Sequence, residues 1–446
     1  MSTLTERLAA LGTAIPEIRL PAAGVDLAAW AVIACDQYTQ DRAYWQRVEE
    51  RVGDLPSALR LVLPEIYLED GDRPERIAGI RRAMAGYLDK GILGGSLRGA
   101  VYIERDTPHH AGRRGLVLAV DLERYEWAPA ARPLIRATEG TVRERLPPRM
   151  EIRRAAPLES PHILLLIDDD ERGLIEGLGD TAKARPGLYE VELMEGAGRL
   201  RAWAIDREDD WERLAAGLER LASRAAGRYH SAPDETPFLY AVGDGNHSLA
   251  TAKAVWDEYK RDHAGEPGIA SHPARFALVE VENIYDPAIE FEPIHRALFG
   301  SSAASVEAAL QALPGFRVRD IASLDELKLL MRRTGVPHAF YGLVWAGGQR
   351  LIETAAAGVA TEALQPLLDR FVAAGNGRSI DYLHGDDETI RVARSAPSAV
   401  GLLLPPVGKA DLFPTVARSG PLPRKSFSMG EAVEKRFYLE CRRLFG

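Results

Sequence analysis

Cysteine is nearly missing from this chain: Cys35 and Cys441 are the only two among 446 residues. That excludes a disulfide framework or a thiolate zinc site as the basis of the fold. Long apolar runs are missing too, and no stretch approaches the ~20 residues that a membrane-spanning helix needs. A long basic run is also lacking, and the net charge is -9. Grip on a nucleic-acid backbone is mostly phosphate neutralisation, so a nucleic-acid partner is not expected. Small anionic or phosphorylated metabolites stay open as partners, because clustered arginines can act inside an acidic protein. The first residues, "MSTLTERLAALGTAIPEIRL", read as a short amphipathic helix and then an extended segment. They lack the basic and apolar regions of a secretory signal. The expectation is a cytoplasmic protein without membrane or nucleic-acid partners; oligomeric state is not specified by these features.

What the chain does contain is a mixture of strands, hairpins and helices. Strand-like runs are "RRGLVLAVDL", "PHILLLIDD", "TPFLYAV" and "RFALVEVENI". Two stretches read as hairpins, because glycine separates two runs of strand formers in each: "LYEVELMEGAGRLRAWAI" and "HAFYGLVWAGGQRLIETA". Apolar residues at three- and four-residue steps predict helices in "RPERIAGIRRAMAGYLDKGIL" and "DDWERLAAGLERLASRAAGRYH". Further amphipathic helices are expected near Ser305–Leu313, Leu324–Arg333 and Glu362–Ala373. No regular βαβ alternation appears, which favours an α+β or irregular α/β fold with mixed sheets, hairpins and flanking helices. Texture places a main lobe over 1–296, a smaller α+β lobe over 297–407, and a segment over 408–446 that returns to the main lobe.

Four polar stretches carry possible chemistry. In "LYAVGDGNHSLATAKAVWDEY", an apolar strand meets a helix pattern at Asp244, Gly245, Asn246, His247 and Ser248. Unpaired N–H groups and the positive end of the helix dipole suit such a turn to phosphate. Asp244 can hold magnesium or act as a base, and His247 can donate to a phosphoryl oxygen or move a proton. An ordinary Asp-Gly-Asn turn with Asn246 or Ser248 as N-cap accounts for the same residues equally well. The second stretch, "LIRATEGTVRERLPPRMEIRR", sets Arg136, Arg143, Arg145 and Arg149 around Thr138, Glu139 and Thr141. Arginine forks match phosphate oxygens, and Glu139 among them is a candidate base or metal ligand; a solvated, salt-bridged face is the plainer reading. The third, "NIYDPAIEFEPIHRALF", offers Glu290, Glu292, His295 and Arg296; here an interior histidine satisfied by a backbone carbonyl is the plainer reading. The fourth, "PLPRKSFSMGEAVEKRF", puts Arg424 and Lys425 before Ser426 in a proline-bracketed loop able to close over an anion; a common exposed basic loop is the plainer reading. Cys35, His109, His110 and the "HGDDE" turn from His384 read as structural.

Together these stretches resemble a large family of prokaryotic proteins known as domain of unknown function one thousand and fifteen, over nearly the whole chain. That family shows Lys-His-Glu-x-Thr, then Ala-Asp-Gly-His-His-Arg-Tyr-x-Thr-Ala, then Pro-Thr-His-Arg, then Pro-x-Lys-Ser. Here "ATEGT", "GDGNHSLATA", "PIHR" and "PRKS" keep that order. Departures are Thr138 for the first histidine, Asn246 for one of the paired histidines and Ser248 for the arginine. The last removes a phosphate clamp unless Arg136, Arg149 or Lys425 replaces it in space. The turn is also similar to a motif of the ParB–sulfiredoxin superfamily, whose members bind CTP, ATP or ADP and one branch of which phosphorylates free serine. Sulfiredoxin's cysteine has no counterpart here.

The resemblance implies a ParB/sulfiredoxin-like element around the turn, with ATP or ADP and a magnesium ion as cofactors. The expected activity is nucleotide-dependent phosphoryl transfer to a small polar metabolite, free serine among the candidates. Asp244, His247, Glu139 and His295 are the expected catalytic residues, with Asp244 and Glu139 also facing the metal. Gly245, Asn246, Ser248, Arg136, Thr141, Arg296, Lys425 and Ser426 are expected to bind the nucleotide. Phosphoester hydrolysis without nucleotide and non-catalytic nucleotide-responsive binding are the alternatives.

Overall fold

Leu164–Ile167 is a run of four apolar residues, all buried, and such a run sits stably only inside a sheet covered on both faces. In the computed structural model, which describes residues 2–229, 235–332, 339–355, 358–375 and 377–445, it lies near the middle of a ten-stranded mixed sheet. One neighbour is Phe276–Asn283, parallel to it; the other is Tyr240–Asp244, antiparallel. Beyond Phe276–Asn283 the sheet continues antiparallel through Arg113–Asp121, Ala100–Asp106, Arg199–Ile205 and Tyr189–Glu192. Beyond Tyr240–Asp244 lie Ile135–Ala137 and Tyr125–Glu126, each parallel to its neighbour. Thr13–Ala14 pairs with Arg113–Asp121. The "LYEVELMEGAGRLRAWAI" hairpin is present, with Gly196 and Gly198 at positive φ in its turn.

The chain divides into two units, Met1–Ile289 with Glu431–Gly446, and Glu290–Gly430. Ala297, the expected start of the smaller lobe, falls inside the strand Phe291–Phe299, which belongs wholly to the second unit. The expected returning segment from 408 likewise divides: its first part, the helix Lys409–Ser419 included, stays in the second unit. Strand continuity sets these borders, and composition does not reveal it.

In the first unit, helix Glu208–Arg228 buries Trp211, Leu214, Leu218 and Leu221 at helical spacing. Helix Arg73–Asp89 carries proline at its start and buries Ile77, Ile80 and Met84. Both return strands of the C-terminal segment are built in: Phe437–Tyr438 pairs with Val32–Ile33, and Cys441–Arg443 with Glu17–Leu20 and Leu158–Glu159.

The second unit is a seven-stranded antiparallel sheet. Its order is Arg317–Asp320, Gly348–Thr354, Ala339–Trp345, Ala399–Leu403, Phe291–Phe299 and Ser379–His384, with Phe427–Met429 on the start of Phe291–Phe299. Alternation along Ala339–Trp345 sorts the helices. Tyr341 and Leu343 join a core with Val306, Leu310, Leu364 and Leu368. Phe340 and Val344 join another with Leu327, Met331, Ile390 and Ala393. The architecture is α+β, with mixed sheets, hairpins and flanking helices. His230, Arg333 and His338, at the ends of expected elements, lie outside the described residues.

Candidate functional site

The corner between Tyr240–Asp244 and helix Asn246–Asp262 is built on Gly245, whose φ of 81° is left-handed. A side chain there would also crowd Ile163, since a Cβ would lie 3.1 Å from its Cα. Glycine is thus required twice over, by backbone conformation and by close approach. The helix that follows has no side-chain cap on its first N–H groups, so neither Asn246 nor Ser248 is the N-cap that the plainer reading expected. Asn246 is half-buried, and its Oδ1 has no hydrogen-bond partner.

Asp244 faces two ways. Its Oδ1 accepts the Gly245 N–H at 3.0 Å, and its Oδ2 lies 3.2 Å from Lys435 Nζ. Lys435 comes from the returning C-terminal segment and is only 7 % exposed. The loop of "RATEGT" packs against the same corner. Thr138 Oγ1 donates to Val242 O at 2.6 Å, and the Val142 N–H donates to His247 Nε2 at 3.2 Å. Because Nε2 accepts, a neutral His247 carries its proton on Nδ1. Glu139 and Thr141 are half-buried in this loop, and the Thr141 hydroxyl faces that of Tyr125.

Ile163, which a side chain at Gly245 would crowd, is preceded by His162, and His162 belongs to a second polar group. His162 Nδ1 is 2.8 Å from the Tyr438 hydroxyl, which also accepts the Cys35 N–H at 3.1 Å, and His162 Nε2 is 4.0 Å from Asp36 Oδ2. Burial, together with the negative charges of Asp36 and Glu65, pushes the Cys35 thiol well up, which suits an inert cysteine.

Behind them runs a buried ionic network. Arg436 donates to Glu280, to Glu440 and, at 2.9 Å, to Pro161 O, which fixes the chain that carries Lys435. Arg113 Nε lies 3.0 Å from Glu282 Oε1. Glu280 and Glu282 alternate along one strand and so share a face. Burial pushes Glu282 up to about 8, with Arg113 opposing and the negative Glu280 adding. Burial acts on Glu280 as well, but Arg436 and Arg113 outweigh it and hold that carboxyl below its ordinary value.

The candidate cations of the second stretch are committed elsewhere. Arg136 is 4 % exposed; it donates to Pro133 O and Thr236 O, pairs with Glu235 at 3.2 Å and lies over the Phe238 ring. Arg149 grips Glu65 and donates to Arg145 O.

The candidate residues of the other two stretches, Glu290 to Arg296 and Arg424 to Ser426, belong to the second unit, where strand pairing brings them side by side: Phe427, next to Ser426, is in register with Pro293. His295 is 1 % exposed, and both ring nitrogens are engaged. The Leu404 N–H donates to Nδ1 at 3.0 Å, and Nε2 lies 2.8 Å from Asp386 Oδ1. It is an interior histidine, satisfied by a backbone N–H and a carboxylate where a carbonyl was expected. Its hydrogen bond holds Asp386 below the usual carboxylate range, so the "HGDDE" turn supplies this partner. Arg296 is fully buried, donating to Gln365 and to Ile294 O over the Tyr382 ring. Ser426 is buried against Thr361 and Pro423 O. Lys425 is exposed and holds a left-handed φ of 61°, which costs a non-glycine residue on the order of 1 kcal/mol.

Among the described residues, no three His, Cys, Asp or Glu side chains are grouped to cage a metal ion. No helix among them is long and apolar enough to cross a membrane.

The model of the family described as "Protein of unknown function (DUF1015)" matches residues 15–371. The chain belongs to that family. No curated protein matches it. Among solved structures, a conserved hypothetical protein from Pyrococcus furiosus is similar at 10 % identity and TM-score 0.36, over 72 % of this chain and 93 % of that one. A free serine kinase in complex with AMP is similar at 10 % identity and TM-score 0.37, over 72 % and 90 %. SbnI from Staphylococcus aureus is similar at 11 % identity and TM-score 0.35, over 73 % and 81 %. Likenesses this remote decide nothing about chemistry.

Sequence reasoning did not single out Lys435, His162 or Tyr438, and it read the stretch that carries Asp36 as structural. Lys435 lies inside a stretch chosen for other residues, and nothing in its local spacing marks it. His162 heads the apolar run "PHILLL", where a lone polar residue before a strand was the available signal.

Proposed function

We propose that this protein is a nucleotide-dependent phosphotransferase acting on a small polar metabolite, with free serine among the substrates to test. One observation carries the reading: an uncapped helix start, opened by left-handed Gly245, meets an Asp–Lys pair in which the lysine is buried. Helix N–H groups favour phosphate oxygens, and phosphoryl transfer is mostly positioning and charge stabilisation. In this reading the N–H groups of Asn246 to Ser248 cradle a phosphate of ATP or ADP. Nδ1–H of His247 donates to a phosphoryl oxygen, its orientation fixed by the Val142 N–H. Asp244 or Glu139 takes the proton of the acceptor hydroxyl.

A magnesium ion brought in on the nucleotide would be met by the same two carboxylates. Asp244 keeps lone pairs on both oxygens beside its Gly245 and Lys435 contacts. When bound, the ion supplies neutralisation of phosphate charge.

The test is turnover of ATP and ADP with a panel of amino acids, comparing the natural chain with Asp244→Asn and His247→Ala. Both variants are expected to lose activity by about tenfold or more. Unchanged turnover in both removes the corner from the mechanism. Phosphate release from phosphoserine without nucleotide would move the reading to a hydrolase, and tight nucleotide binding without turnover to a binding protein.

A further inference from the structure

An ammonium taken out of water is tolerated only where its charge and its three N–H donors find partners. Lys435 has an 8 % exposed side chain, and its one charged partner among the described residues is Asp244 at 3.2 Å. That carboxylate already spends Oδ1 on the Gly245 N–H. Among the described residues no hydrogen bond from Lys435 Nζ accompanies the ion pair. The lysine is therefore buried, half-satisfied and next to the residue that opens the helix.

Its place is fixed by neighbours on both sides. Arg105 donates to the carbonyls of Val433 and Lys435. Arg436 is locked to Glu280, Glu440 and Pro161 O. The backbone thus holds Lys435 against the corner with little freedom to swing into solvent. Meanwhile two other cations of this unit's motif stretches, Arg136 and Arg149, are spent on Glu235 and Glu65.

We propose that Lys435 is the cation that holds the ligand's phosphate at this corner. It would share its donors between Asp244 and a phosphate oxygen, and the C-terminal segment would thereby complete a site built by the middle of the chain. The inference rests on the phosphate-handling reading above and adds the residue that supplies the charge.

Calorimetric titration with ADP, inorganic phosphate and adenosine separates the two. In Lys435→Met, which keeps the apolar stem, ADP and phosphate affinity is expected to fall about ten- to a hundredfold, as for a lost hydrogen bond to a charged group. Adenosine binding should be unmoved, and Lys435→Arg should restore ADP binding. If the natural chain binds ADP and Lys435→Met binds it equally well, or if Arg149→Met loses the binding instead, Lys435 is not the clamp while the phosphate reading stands. If the natural chain binds neither ADP nor phosphate, both fall. Should Lys435→Met fail to fold, amine acetylation of the natural chain reads the same contact. ADP is expected to protect Lys435, and labelling unchanged by ADP overturns the assignment.

Discussion

Glu282 gives the sharpest physical prediction, because one proton decides its contribution. Burial, with the negative Glu280 beside it, pushes its carboxyl up to about 8 from an ordinary value of 4.5. The neutral acid can then hydrogen-bond the ionised Glu280, which Arg436 and Arg113 hold in its charged form. A carboxyl with a raised folded value contributes its full stability below about pH 4.5, loses it progressively above that, and has lost it beyond about pH 8. The slope is about 1.4 kcal/mol per pH unit, with a ceiling of roughly 5 kcal/mol across the window. Glu282→Gln keeps shape and neutrality but removes the proton. Its stability relative to the natural chain should therefore rise steadily from about pH 5 to about pH 8. In urea this is a shift of about 1 M or more in midpoint between the two pH values. Tryptophan fluorescence suits the assay, since Trp345 is the only one of seven tryptophans in the second unit. Parallel stability curves for variant and natural chain through that window would refute the shared-proton account.

Gly245→Ala forces a left-handed φ on alanine and presses a Cβ toward Ile163. A loss of about 1–3 kcal/mol in chemical unfolding is expected, with weakened phosphate binding by titration. His295→Ala strips the Leu404 N–H and Asp386 of their partner and should cost about 1–3 kcal/mol, read from Trp345 emission in the second unit. Because Asp386 is held low by that hydrogen bond, its share of stability is present above its ordinary value of 3.8 and lost as pH falls through the lowered one. The natural chain should show this acid-side loss in that emission and His295→Ala should not.

Elements were readable in the sequence wherever the signal was local. The buried run "LLLI", the glycine-turned hairpins and the helical repeat through Trp211, Leu214, Leu218 and Leu221 each carry their periodicity in adjacent residues. So did the corner at Gly245, where strand pattern stops and helix pattern starts, and the four ordered motifs sufficed to show the family. The cations were not readable. Whether Arg136 or Arg149 is available depends on Glu235 and Glu65, far away in the chain. Likewise His295 is interior because Leu404 and Asp386 come to it.

By itself, the sequence determined the α+β texture, the strand-to-helix corner at Gly245 and the family, since all three are written in short-range order. Only the tertiary structure decided where one unit ends and the other begins, which charges are already neutralised, and that Lys435 returns from the far end of the chain to meet Asp244. Pairing and burial are relations between segments far apart in the chain, and no local pattern encodes which partner each side chain will find.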